Sequence, residues 1–114
     1  MVAVIFEVVP LEGQREAYLG AAASLRHYLA ELDGFISIER FESLTQPGKM
    51  LSLSFWRDEE AVRQWRNVED HRQIQSAGRD HMFADYRLRV AGVIRDYGMT
   101  DRAAAPDDSK ARHG

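Results

Sequence analysis

The 114-residue sequence predicts one α+β domain, an antiparallel sheet with helices on one face. Three observations predict it. Four short segments carry β-branched or period-two patterning, and two longer ones carry the three- and four-residue spacing of amphipathic helices. They follow one another in the order β-α-β-β-α-β, which is the ferredoxin-like split pattern.

Val2 to Val9, VAVIFEVV, is rich in β-branched residues and closes at Pro10, so it reads as the first strand. Pro10 to Gly13 is a turn. Gln14 to Leu32 reads as one helix, because Tyr18, Ala21, Ala22, Leu25, Leu29 and Leu32 recur at helical steps, and Gly34 stops it. Phe35 to Leu44 is a second strand. TQPGK, Thr45 to Lys49, supplies the proline and glycine of a tight hairpin. Met50 to Trp56, MLSLSFW, alternates large apolar with small polar residues and is the third strand. Asp58 suits a helix N-cap and Glu59 and Glu60 its positive end, with Ala61, Val62 and Trp65 as the apolar face. Asp70 is expected to restart a second helical piece carrying Ile74 and Ala77. Asp85 to Tyr97 reads as a long fourth strand. The domain is expected to span 1–98. Residues 99–114 have no large apolar side chain after Met99 and read as a disordered tail.

Helices on one face leave the other face of the sheet to be explained. Val2, Val4, Phe6 and Val8 point one way in the first strand, and Ala3, Ile5 and Val9 the other. In the second strand Phe35 and Phe41 oppose Ile36 and Ile38. A sheet apolar on both faces needs a second cover, and a second copy of the sheet packed by two-fold symmetry supplies it.

Composition narrows the function classes. The chain is 45% hydrophobic and 29% charged, with net charge −3, so nothing draws it toward nucleic acid or an anionic membrane. It has no cysteine, which removes disulfide, iron–sulfur and thiolate chemistry. The opening MVAVIFEVVP lacks a basic leader and soon meets Glu7, so it reads as neither a signal peptide nor a membrane span, and a cytoplasmic location is expected.

The run SFWRDEEAVRQW after the third strand, then HRQIQSAGRDHMFADYRLRV leading into the fourth, resembles the antibiotic-biosynthesis monooxygenase family in this topology. The resemblance covers nearly all of Val2 to Tyr97. It implies a dimeric α/β barrel in which each subunit holds a pocket between sheet and helices. One branch of that family oxidises aromatic polyketides with molecular oxygen and neither metal nor flavin. A second degrades haem, and a third handles signalling quinones or has no assigned substrate. The haem-degrading branch relies on an Asn in the first strand, a Trp in the helix after the third, and a His ten residues beyond that Trp. Trp65 matches the Trp, but the position ten beyond is Gln75, and the first strand has Phe6 and Glu7 where the Asn would fall. Haem is therefore not expected.

Both tryptophans lie in WRDEEAVRQWRNVEDH, Trp56 to His71. Trp56 shares its parity with Ser52 and Ser54 and reads as packing at a strand end. Trp65 is core by its spacing, and the resemblance makes it a pocket wall, where an indole suits a planar ligand. His71 is either an exposed or capping residue or the acceptor of a substrate proton. Tyr86 is the other candidate for that proton, and Gln75 a substrate contact. Arg87 and Arg89 share a face of the fourth strand. Either they sit in water paired with carboxylates, or they face inward, where only an anion would justify them. Glu7 is either a base with a raised pKa or an inter-subunit salt-bridge partner, and the second is expected. Tyr18 and Tyr28 serve core or pocket equally. No metal-ligand spacing of histidines occurs, so no metal site is expected.

The function expected is a small homodimeric oxygenase acting on a planar phenolic or quinol-type molecule, with oxygen as co-substrate and no cofactor. The rivals are a non-catalytic small-molecule-binding or stress-response domain of the same fold, and a haem-degrading monooxygenase.

Overall fold

A computed structural model describes residues 1–75 and 82–114, leaving out the side chains of 69–75. The chain runs β1 (Val2–Pro10), α1 (Arg15–Ser24), α2 (Arg26–Glu31), β2 (Phe35–Glu42), β3 (Met50–Trp56), α3 (Glu59–Gln75), β4 (Phe83–Gly92) and α4 (Asp107–His113). The strands form one sheet in the order β2-β3-β1-β4, with every neighbouring pair antiparallel. This is the ferredoxin-like α+β fold the element order predicts.

The helices differ in detail from the sequence reading. Gln14 to Leu32 is divided at Leu25. The Ser24 hydroxyl donates to the Ala21 carbonyl at 2.7 Å, and such back-bonding competes with the helical ladder and bends it. After β3 the reverse holds: the two pieces expected, with a restart at Asp70, are one helix to Gln75. Its start is as predicted. Asp58 Oδ1 accepts the Ala61 N–H at 2.9 Å. That bond, then the Arg57 guanidinium, holds the Asp58 carboxyl below its usual range.

Strand ends follow their partners. β4 stops at Gly92 rather than Tyr97, because it pairs only with β1 and Gly92 already faces Val2. Past that point the Val93 N–H reaches the Met1 carbonyl at 3.0 Å, and no paired strand remains. In β2 a register shift between Phe35 and Ser37 inserts one residue. It brings Phe35 and Ile38 onto one face, where both pack against the core. Strict alternation had set them on opposite faces.

The helix-facing side carries two buried clusters. Leu29, Trp56, Ala61 and Val62 form one, and Val8, Tyr18 and Met50 the other. The opposite side is apolar too. Register places Ala3, Ile5, Val9, Leu51, Leu53 and Phe55 there, and Phe41 with them is 43% exposed.

The segment expected as a structureless tail holds α4. Arg102 organises it, donating to the carbonyls of Gly98 (3.2 Å) and Gly114 (2.8 Å) and to the Ser109 hydroxyl (2.5 Å). Its guanidinium also lies over the Tyr97 ring at 5.3 Å. Local polar bonds build this segment, so the absence of large apolar residues did not reveal it. No helix among the described residues is long and apolar enough to cross a membrane.

Candidate functional site

The space for a ligand begins with MLSLSFW. In β3 the residues facing the helices are Met50, Ser52, Ser54 and Trp56. Met50 and Trp56 fill the two ends, at 5% and 0% exposure. The two serines between them are small. Cross-strand register extends the pattern into rows: Arg40, Ser52, Phe6 and Leu88 in one, Ile38, Ser54, Val4 and Val90 in the next. Opposite this floor α1 presents Ala21 and Ala22. Small residues on both sides leave a cavity of about 160 Å³ between sheet and helices. A cavity of about 150 Å³ elsewhere admits benzene, so this one suits a body of roughly one ring.

Its two ends are aromatic. On one side Trp65 from α3 stacks on Trp56, centroids 6.4 Å apart and planes at 27°. Trp56 is fixed in turn by its indole N–H, which donates to the Ser54 hydroxyl at 2.9 Å. On the other side Phe83 meets Phe6 at 6.0 Å and Tyr18 at 5.6 Å, both edge to face. Tyr18 is nearly buried and lines the cavity.

The charge inside is one-signed. Arg40 and Arg66 line the cavity, and its described lining contains no carboxylate and no histidine. The Nε of Arg40 is buried and has no hydrogen-bond partner among the described residues. A buried donor left unpaired costs about 1–3 kcal/mol, more for a charged group, so such a group calls for an explanation.

The residues predicted from the sequence fall in four places. Trp65 forms a wall of the cavity. Tyr86 lies on the same side of β4 but at the rim, 61% exposed, packed on Phe6 at 5.7 Å and Phe83 at 6.2 Å and outside the cavity lining. Glu7, Arg87 and Arg89 are on the helix-free face, away from the cavity, because Glu7 pairs with Arg87 in register and Arg89 with Ile5. There Arg89 meets Glu7 at 3.2 Å and Lys49 meets it at 3.7 Å. The Arg89 hydrogen bond first, then the charge of Lys49, lowers the Glu7 pKa, so Glu7 is a paired carboxylate within one chain rather than a base with a raised pKa. His71 and Gln75 sit in the last turns of α3, and their side chains lie outside the described residues.

Arg40, Ser52, Ser54 and Arg66 were not singled out from the sequence. A signal for Arg40 was present: it shares its parity with Ile38, so an apolar face carries a cation. The requirement that an inward arginine meet an anion, raised for Arg87 and Arg89, belongs to Arg40. As for haem, the described lining offers iron no imidazole or carboxylate ligand, and no metal-binding cluster occurs among the described residues.

With this geometry in hand, comparison with known proteins gives the following. Residues 1–77 match the family described as antibiotic biosynthesis monooxygenase. A Pyricularia oryzae protein named jasmonate monooxygenase ABM is 50% identical over 93 residues, covering 82% of this chain. The chain spans 43% of that relative's length. The solved structure of Rv0793 from Mycobacterium tuberculosis has TM-score 0.71 and 18% identity over 85% of this chain and 98% of that one. A variant of MhuD, solved with two manganese protoporphyrin IX molecules per active site, has TM-score 0.65 and 18% identity over 86% of this chain and 99% of that one. At these identities the two structures share the fold with this chain.

Proposed function

The chain belongs to the antibiotic biosynthesis monooxygenase family, and from that premise we propose a monooxygenase that oxidises a small ring compound with molecular oxygen and no metal, flavin or haem. The observation that carries this reading is the cavity, apolar, walled by Trp65 and the Tyr18–Phe83 pair, and about one ring in size. The substrate class is a phenol or quinol, or a ring ketone with an acidic C–H.

The chemistry balances without a cofactor. The substrate loses a proton from an activated ring carbon, and the resulting anion gives electrons to oxygen. One oxygen atom enters the substrate as a carbonyl and the other leaves as water: CH₂ + O₂ → C=O + H₂O. The chain's part is to hold the ring against the Trp65 indole, exclude bulk water and offset the anion's charge with Arg40 and Arg66. His71→Ala tests whether that histidine accepts the proton, with Tyr18→Phe as a control for the cavity wall. Loss of kcat with KM held in His71→Ala alone identifies it as the acceptor.

Two chains acting together complete the reading. The helix-free face packed on its copy would cover Ile5, Leu53 and Phe55, as the apolar patterning asks.

Oxygen uptake is the direct test, with a panel of anthrone-like phenols, quinols and jasmonate. Stoichiometric uptake in metal-free buffer is expected for at least one. Saturable binding with no uptake across the panel would mark a non-catalytic binding domain. A stoichiometric Soret band at micromolar haem, followed by haem breakdown with ascorbate, would replace the reading with haem degradation.

A further inference from the structure

We propose that Arg40 selects the substrate by holding its single oxyanion, a carboxylate or an acidic phenol oxygen, on an apolar body about one ring in size. The inference rests on reading the cavity as the substrate site. It adds the charge of the substrate and the residue that recognises it.

A guanidinium stays charged at any working pH. Arg40 stands on the helix-facing side of β2, and its Nε is buried without a hydrogen-bond partner among the described residues. The acids of its own strand do not answer it. Glu39 pairs in register with Leu53, on the helix-free face, and Glu42 is engaged by Arg15 at 3.4 Å. Ser52 is the register partner of Arg40 on β3 and offers a hydroxyl beside the same spot. Arg66 adds a second positive charge from α3, and the described lining supplies no negative one. Two cations, with no carboxylate beside them in the described lining, thus face an apolar space in a chain of net charge −3. Low polarity strengthens their pull on an anion, and the guanidinium fork suits an oxyanion geometrically. The apolar remainder of such a ligand would lie between Trp65 and Phe83, with room for one ring. A polyphosphate does not match the apolar remainder of this lining.

The test uses two probe pairs and needs no turnover. Phenylacetate and its methyl ester differ in one charge at nearly constant shape, and their binding is read by quenching of tryptophan fluorescence. A nitrophenol reports its own ionisation through its visible absorption. The acid is expected to bind about tenfold or more tighter than the ester, and bound nitrophenol to ionise about one pH unit lower than free, the same tenfold. Arg40→Met should abolish both preferences, and Arg40→Lys should keep part of each. Circular dichroism checks the fold; if Arg40→Met is unfolded, Arg40→Gln takes its place. Preference in the first pair alone assigns a carboxylate, and in the second alone a phenolate. Equal binding of acid and ester together with an unshifted nitrophenol overturns the proposal. So does a preference that survives Arg40→Met, or no saturable binding of any probe. Charge-selective binding without oxygen uptake from any substrate would keep this inference and remove the monooxygenase reading.

Discussion

At Trp65 one indole serves both the core and the cavity. It stacks on fully buried Trp56 while it is itself partly buried. Truncating a buried Trp typically costs about 3–5 kcal/mol; the partial exposure here sets Trp65→Ala nearer about 2–3 kcal/mol. Urea unfolding checks it, and ligand binding should weaken in the same variant. A variant that unfolds like the parent would mean that Trp65 packs on nothing. Glu7 gives a pH signature. Its carboxyl titrates below its usual value because Arg89 hydrogen-bonds it and Lys49 adds charge. A lowered folded pKa stabilises the fold above the unfolded pKa, and that contribution is lost as pH falls through the folded value. Glu7→Gln should therefore melt below wild type at neutral pH, with the gap closing in the acid range below the ordinary value of about 4.3. A gap constant from neutral to acid pH would show that the ion pair contributes nothing.

Among the elements, the loop between α2 and β2 packs closely against α3. Gly34 has φ +91°, and a Cβ there would lie 2.7 Å from the Ala61 Cβ of α3. Its carbonyl also accepts the Arg57 N–H at 2.7 Å. Gly34→Ala combines left-handed strain of about 1–2 kcal/mol with overpacking of about 1–3 kcal/mol. Gly48, in the β2–β3 hairpin, has φ +85° but open space around it, so Gly48→Ala carries only the strain. Equal destabilisation of the two variants in guanidinium would show that the contact with Ala61 does not matter. The hairpin itself is legible in TQPGK, and β3 runs from Met50 to Trp56 as its alternation dictates. The end of β4 and the break at Leu25 were not legible. One depends on where a distant partner strand starts, the other on a single hydroxyl competing with the helix ladder.

For the whole molecule, we propose that the helix-free face sets the assembly. Leu51, Leu53, Phe55 and Ile5 form its middle, with Glu7, Lys49 and Arg89 among them. Obligate dimers bury about 2,000 Å² or more with an apolar centre, which this face could supply. Light scattering on a sizing column should give twice the 13.0 kDa chain mass at micromolar concentration. A folded species at 13.0 kDa would overturn the dimer. We also propose that the folding unit closes at Gly98, since among the described residues the hydrogen bonds of α4 and its approach stay within 98–114. Truncation after Gly98 should leave the melting temperature unchanged to within a few degrees, and a sharp drop would show that α4 docks on the sheet.

The sequence by itself determined the element order, the hairpin, the Asp58 cap and the two-faced sheet. Those rest on local chemistry: proline and glycine at a turn, a carboxylate over free N–H groups, and side chains alternating along an extended backbone. Only the tertiary structure decided which alternating residues meet. Antiparallel register turned Arg87, Arg89 and Glu7 to the face without helices and gathered them into ion pairs. The same register set Ser52 beside Arg40, under two alanines of α1, and so opened a cavity lined by cations. A cavity is volume left unfilled by residues far apart in the chain, and no short stretch of sequence carries it.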